Sequence, residues 1–494
     1  MLDKRRLLMD RSVPGRRGVS LPACDVPMSA LPPTAILRED LPLPEVSQPE
    51  IVRYFTHLSS LNFGVDSGFY PLGSCTMKYN PKLHEEIASL PGIADIHPLQ
   101  DAQTIQGALQ MLYEMQTMLA EIAGLDGASL APIAGAHGEF AGLQVIRAYQ
   151  AQRGQSNRKT VLIPDTAHGT NPASAAMCGY GVVSIPSDKD GNMDRQALRA
   201  ALSDGVVALM VTNPSTLGLF EQHIVEICQE VHEAGGLVYG DGANLNALLG
   251  KVKLGELGFD VVHMNLHKTF TTPHGGGGPG AGAICVRDTL KPFLPSPLVV
   301  KHEANGHSDT YSFEHPGESI GPIGAFYGNF GNIARAYTYI RSLGPDGLRE
   351  VSENAVLHAN YIRARLSGVY NLPYARPCMH EVIFSASNLR PYGVRALDVA
   401  KRLIDYGYHP PTMYFPLKVD EALMIEPTET ESKETMDEFI EAMITIANEA
   451  KEQPALLKEA PHNSPVRRLD EARAARQPDL RWKAQPAVTA ERRP

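Results

Sequence analysis

The chain has 494 residues, 43% of them apolar, and a formal net charge of −10. That length buries at least one large core, and at roughly 150 residues per domain it suggests two or three units. The negative balance excludes a general electrostatic attraction to nucleic acid or anionic lipid and favours a small-molecule partner.

Six cysteines (Cys24, Cys75, Cys178, Cys228, Cys285 and Cys378) are scattered without a C-x-x-C pair, as expected in a reducing compartment. The basic N-terminus, MLDKRRLLMDRSVPGRRG, has only Leu7, Leu8 and Met9 as an apolar stretch, too short for a secretory signal. No apolar run is long enough to span a bilayer. The expected location is the cytoplasm.

Residues 1–100 are irregular, with proline clusters at LPPTAILREDLPLPE and the stretch GFYPLGSCTMKYNP, and they read as an arm packed on something else. The first clear element follows: Ile105, Leu109, Leu112, Leu119 and Ile122 fall at helical spacing, with Gly124 placed to stop the helix. From there short apolar runs alternate with helical stretches: KTVLIPD, GVVSIPS, GVVALMVTNP, GGLVYGDGA, FDVVHMN and GAICVRD. Such runs are strands buried on both faces of a mostly parallel α/β sheet, with functional groups expected at the strand ends. A large α/β domain is thus expected over 101–345.

After ARAYTYIRSLGPDGL the texture changes to longer helices with the strands HEVIFSA, HPPTMYFP and ALMIEPT. A smaller α/β domain over 346–460 is expected, with Thr428 and Glu431 at capping-box spacing before its last helix. Residues 461–494 form a basic tail carrying the only tryptophan, Trp482, and a charged end of this kind reads as solvated.

The chemistry concentrates around NLHKTFTTPHGGGGPGAGAI, residues 265–284. Gly275, Gly277 and Gly280 satisfy G-x-G-x-x-G, but a strand, not a helix, follows them, so the dinucleotide reading fails. A phosphate-binding P-loop needs its lysine after the glycines, and here it lies before them. His263 and His267 are four apart, without a glutamate next to the first or another ligand close by, so no metal is expected. What remains is Lys268 at the end of a buried strand. It is either a lysine leaving the strand end into solvent or a desolvated amine suited to a Schiff base.

Four other segments bear on that choice. Asp241 ends the run GGLVYGDGAN and suits a protonated pyridine nitrogen, although Asp in G-D-G is also a plain turn residue. In APIAGAHGEFAG, Ala134, Gly135 and Ala136 open a helix whose bare N-terminus suits a phosphate. His137 then stacks on a cofactor ring or merely caps the helix. Asn213 in VTNPSTLG follows a strand and suits a ring hydroxyl or a simple Asn-Pro turn, and His168, Thr170 and Asn171 follow another strand. Together these describe a pyridoxal-phosphate site, with the glycines after Lys268 leaving room for tight turning and substrate entry.

The segments GRRGVSLP, GFYPLGSCTMKYNP, AGAHGE, DTAHGTNPAS, TNPSTLG, YGDGAN, NLHKTF and PVRRLDEARAARQPDLRW closely resemble the pyridoxal-phosphate-bearing chain of the glycine cleavage system P-protein family. The resemblance runs from Gly15 to Trp482. It implies a fold-type I, aspartate aminotransferase-like architecture and a reaction in which glycine loses carbon dioxide while its aminomethyl group passes to the lipoyl arm of a carrier H-protein. Carried over by motif, Lys268 holds the cofactor, Asp241 partners its ring nitrogen, His137 stacks on the ring, and Asn213 and Thr170 add cofactor contacts. Ser74, Thr76, Lys78 and His168 become candidate substrate contacts. Since some family members are single chains of two homologous halves, the resemblance also implies a homologous partner subunit without the lysine, in a heterotetramer of two of each. Two alternatives remain: another fold-type I activity, such as an aminotransferase or amino-acid decarboxylase, or a non-catalytic scaffold, against which Lys268 argues.

Overall fold

The computed structural model describes residues 7–30, 32–37, 41, 43–274, 280–303 and 308–481. Gly275, Gly277 and Trp482 lie outside the described residues. The chain divides into two units, Met1–Gly64 and Val65–Pro494. In the first, helix Gln48–Ser59 starts at a capping box in which Glu50 accepts from the Ser47 amide at 2.9 Å.

The second unit is built on a seven-stranded sheet. Its strands are β1 (Gly127–Ser129), β2 (Thr160–Pro164), β3 (Gly181–Ile185), β4 (Val206–Thr212), β5 (Leu237–Gly242), β6 (Val261–Asn265) and β7 (Gly282–Val286). They lie in the order β1-β7-β6-β5-β4-β2-β3. All pairings from β3 to β6 are parallel, and β7 is antiparallel to both β6 and β1. Every residue of β4, β6 and β7 is buried, as continuous Val/Ile/Met runs require when helices cover both faces. β3 departs from that expectation. It is an edge strand, and Val182 and Val183 are 39% and 42% exposed.

Helix Gln106–Ala123 forms as the periodicity predicts, with Leu109, Leu112 and Leu119 fully buried and Gly124 ending it at φ 68°. A helical stretch over Phe330–Leu366, broken at Gly344 (φ 64°, ψ −175°), runs on to a three-stranded antiparallel sheet. That sheet comprises β10 (Val382–Ser385), β11 (Thr412–Met413) and β12 (Ala422–Ile425), following a hairpin of β8 (Leu298–His302) and β9 (Thr310–Glu314) that was not among the expected elements. The last long helix, Lys433–Glu452, is capped by Ser432, whose hydroxyl accepts from the Thr435 amide at 3.1 Å. Thr428 is not the cap: it sits at φ 63° and its hydroxyl pairs with that of Thr430 at 2.9 Å. Among the described residues no helix is long and apolar enough to cross a membrane.

Because the Ser432 hydroxyl satisfies an otherwise orphan helix amide, Ser432→Ala should destabilise the protein by about 1 kcal/mol. Thermal unfolding of the two proteins checks this, and an unchanged midpoint would contradict the cap.

Candidate active site

β4, β5 and β6 end side by side, and parallel register aligns residues near their C-terminal ends: Thr212 opposite Asp241, and Asp241 opposite His263. These C-terminal ends floor a cavity of ≈ 210 Å³, the position at which open α/β sheets bind ligands. Lys268 reaches it from the short helical turn Leu266–Thr269 directly after β6. Ala134, Gly135 and Ala136 form another wall, at the start of helix Gly135–Gln152. That 18-residue helix has no side-chain cap at its N-terminus, so its first amides are available to an anion. Glycine is needed where the helix meets β6: a Cβ on Gly135 would lie 2.4 Å from the Asn265 amide, and one on Gly138 2.9 Å from the His263 side chain.

Asp241 is only 2% exposed, and its carboxylate is held from three sides. Oδ1 accepts from the Ala243 amide at 2.9 Å and Oδ2 from the Asn171 amide group at 3.2 Å. His263 Nε2 faces both Asp241 Oδ1 at 3.3 Å and Asn265 Oδ1 at 2.8 Å, while its Nδ1 lies 2.7 Å from the Tyr239 hydroxyl. Two oxygens at Nε2 assign the proton there, leaving Nδ1 to accept from Tyr239. Glu139 is the second buried acid. Burial first, and then the nearby Asp241 charge, push its carboxyl above the usual range. The Thr170 and Ser174 hydroxyls donate to its two oxygens at 2.7 and 2.8 Å.

Three imidazoles near Lys268, those of His168, His267 and His274, are shifted towards the neutral form. Burial lowers His267 to about 4, and burial together with the Lys268 charge lowers His168 and His274. Among the described residues no carboxylate lies within ion-pair distance of the Lys268 amine.

The structure thus brings Lys268, Asp241, Ala134, Gly135, Ala136, Thr170, His168 and Ser74 to one cavity. Four other expected site residues are not in its lining. His137 points its Nε2 at the Ile323 carbonyl, 3.0 Å away, and Nδ1 accepts from the Ile133 amide at 3.3 Å. Asn213 turns its carboxamide oxygen to the Glu221 amide at 3.0 Å. Lys78 is wholly buried in an ion pair with Glu429 at 2.7 Å and donates to Asn246 at 2.8 Å, so its charge is already spent. The Thr76 amide donates to Glu426 at 3.0 Å. His168, Thr212 and Thr216 line the cavity instead. Glu139 and Asn265 have no place in the sequence expectations, and His263 enters them only as a rejected metal ligand, although a glutamate near the start of a glycine-rich helix and a histidine within an apolar run are both visible there.

The family model described as glycine cleavage system P-protein matches residues 29–312, and that of the glycine dehydrogenase C-terminal domain matches residues 351–466. The chain belongs to the glycine cleavage system P-protein family. Its curated relatives include a "probable glycine dehydrogenase (decarboxylating) subunit 2" of Halalkalibacterium halodurans, 56% identical over 98% of this chain and 99% of its own. The protein of the same description from Bacillus velezensis is 55% identical over 96% and 97%. Among solved structures, glycine decarboxylase (P-protein) of the glycine cleavage system, in inhibitor-bound form, matches with a TM-score of 0.70 at 22% identity, over 84% of this chain and 93% of that one. A cysteine desulfurase from Thermococcus onnurineus NA1 matches with a TM-score of 0.59 at 15% identity, over 78% and 95%. The architecture of this P-protein family member is therefore that of the fold-type I pyridoxal-phosphate enzymes.

The cavity fits that cofactor. It offers an amine, a buried carboxylate and an uncapped helix start, and the Thr212 hydroxyl on its wall is buried without a partner. The placement of the two histidines gives a direct test. His168→Ala should weaken pyridoxal-phosphate binding about tenfold through loss of ring contact, while His137→Ala should leave it unchanged. Fluorescence titration of the cofactor-free protein measures both, and the reverse order would return the stacking role to His137.

Proposed function

We propose that this chain decarboxylates glycine with pyridoxal phosphate held covalently on Lys268. On this reading it passes the remaining aminomethyl group to the lipoyl arm of an H-protein, as glycine dehydrogenase (aminomethyl-transferring). The observation that carries the reading is the facing of Lys268 and Asp241 from adjacent strand ends across a cavity walled by a bare helix N-terminus, in a chain of this family. The relatives' description as subunit 2 supports a second subunit, which we take to be homologous, to lack the lysine and to assemble with this chain as two of each. A cytoplasmic setting belongs to the same reading and is supported by six unpaired cysteines.

When bound, the cofactor supplies an electron-poor ring that accepts the charge left behind as carbon dioxide departs. The protein's own residues make that possible. Asp241 keeps a proton on the ring nitrogen, and its three hydrogen-bond partners hold the carboxylate in place so that no reorganisation is needed during reaction. The amides at Ala134–Ala136 take the phosphate without a cationic side chain. His168 would contact the ring, and its burial, with the Lys268 charge, favours the neutral imidazole there. Ser74 lines the same cavity as Lys268, and on this reading it contacts the amino acid.

Exchange of labelled bicarbonate into the carboxyl group of glycine tests the proposal, measured with the partner subunit and lipoylated carrier present. Exchange should require all three components. Asp241→Asn should cut it about a hundredfold or more while cofactor stays bound, because the loss falls on charge stabilisation. Turnover of other amino acids without the carrier would favour an aminotransferase or a different decarboxylase.

A further inference from the structure

Behind Ser74 lies an arrangement that the reading above leaves unused. β10 and β12 are antiparallel with Val382 opposite Ile425, so the next positions out, Glu381 and Glu426, emerge side by side. Both are fully buried, and like charges directly opposite on a ladder repel. Each carboxylate holds one backbone amide of the same turn: Glu381 Oε2 accepts from Ser74 at 2.8 Å and Glu426 Oε2 from Thr76 at 3.0 Å. Those two residues stand at φ 65° and 49°, left-handed conformations that serine and threonine rarely adopt without external restraint. The other oxygen of each carboxyl is buried without a hydrogen-bond partner. An oxygen of each acid and a ring nitrogen of His380 all lie within 4.8 Å of one another.

Two adjacent buried carboxylates need a compensating positive charge. His380 does not provide it: burial lowers it to about 3, its ring nitrogens make no hydrogen bond, and Nε2 comes only to 3.9 Å from Glu426 Oε1. The charged groups that face the pair are Lys268, which acts on both acids, and Lys78, which acts on Glu426 but is itself ion-paired to Glu429. Cys75, between the two held amides, has its thiol pushed up by burial and is uncharged at neutral pH. One proton on the pair is the remaining compensation, because close carboxyls cannot both ionise.

We propose that Glu381 and Glu426 are a proton-sharing carboxyl pair that positions the Ser74–Thr76 turn against the Lys268 cavity. The positioning role rests on the glycine-decarboxylase reading of that cavity, whereas the shared proton does not. Burial pushes Glu426 up to about 7 and Glu381 well above the carboxylate range, the Glu426 charge adding to the latter. With a folded value above the unfolded one, the fold holds a proton that the unfolded chain has already lost. Its stabilisation is complete below the ordinary carboxylate range and disappears as pH rises to about 7.

The test has two arms. In cofactor-free protein, infrared titration of the protonated-carboxyl band should show an acid persisting towards neutral pH. Glu381→Gln and Glu426→Gln should each move the remaining acid's midpoint down by about one pH unit, as expected of coupled sites. Unchanged midpoints in both variants would overturn the shared proton. In the loaded complex, either Gln variant should keep its cofactor band, lower glycine exchange about tenfold, and displace the acid limb of the pH–rate profile. Rates and profiles matching the wild type would overturn the positioning role. A wild type without any exchange would count against the glycine reading alone, and the infrared titration would still decide the pair.

Discussion

The site depends on holding one carboxylate, that of Asp241, fixed near the end of a buried strand. Burying a carboxylate beside a second acid, Glu139, is costly, and the surroundings offset that cost locally. The Ala243 amide, the Asn171 amide group and His263 all point at it, and His263 is in turn tied to Tyr239 and Asn265. This network draws on β5, β6 and the segment after β2, so the sheet must be fully assembled before Asp241 is satisfied. The same strand ends carry Lys268 and Thr212 to the cavity. Fold and site are one construction: parallel register sets the spacing between the acid and the amine.

The strands of the large sheet were legible in the sequence because burial on both faces produces uninterrupted apolar runs, as in Val206–Thr212 and Val261–Asn265. Position within the sheet was not legible. Edge strand β3 has the same composition as its buried neighbours, and its exposed valines are apparent only from the strand order. The β8–β9 hairpin was harder to read because its sides, LVVKH and TYSFE, are short and half-buried, although Asn-Gly in the connecting EANGHSD is a turn signal. The cap of the last long helix was displaced from Thr428 to Ser432 because both are followed three residues on by a plausible partner, and only backbone geometry separates them.

Within the site, residues that chemistry requires were readable: a lysine and an aspartate at strand ends, and small residues opening a helix. Residues that depend on where a side chain points were not. His137 and His168 each follow a strand and precede or open a helix, yet one faces the Ile323 carbonyl and the other the cavity. Asn213 lies one residue beyond the strand end at Thr212, which lines the wall in its place. Lys78 is conspicuous in sequence, but Glu429, more than three hundred residues away along the chain, neutralises it, a pairing that no local pattern predicts.

The claim on which the account turns is that the amine of Lys268 is the group to which the cofactor attaches. Borohydride reduction of the pyridoxal-phosphate-loaded protein, followed by peptide mass mapping, addresses it directly. A single pyridoxyl adduct is expected on the peptide containing Lys268, absent from Lys268→Ala. A stable adduct on another lysine, or an undiminished adduct in the variant, would contradict it.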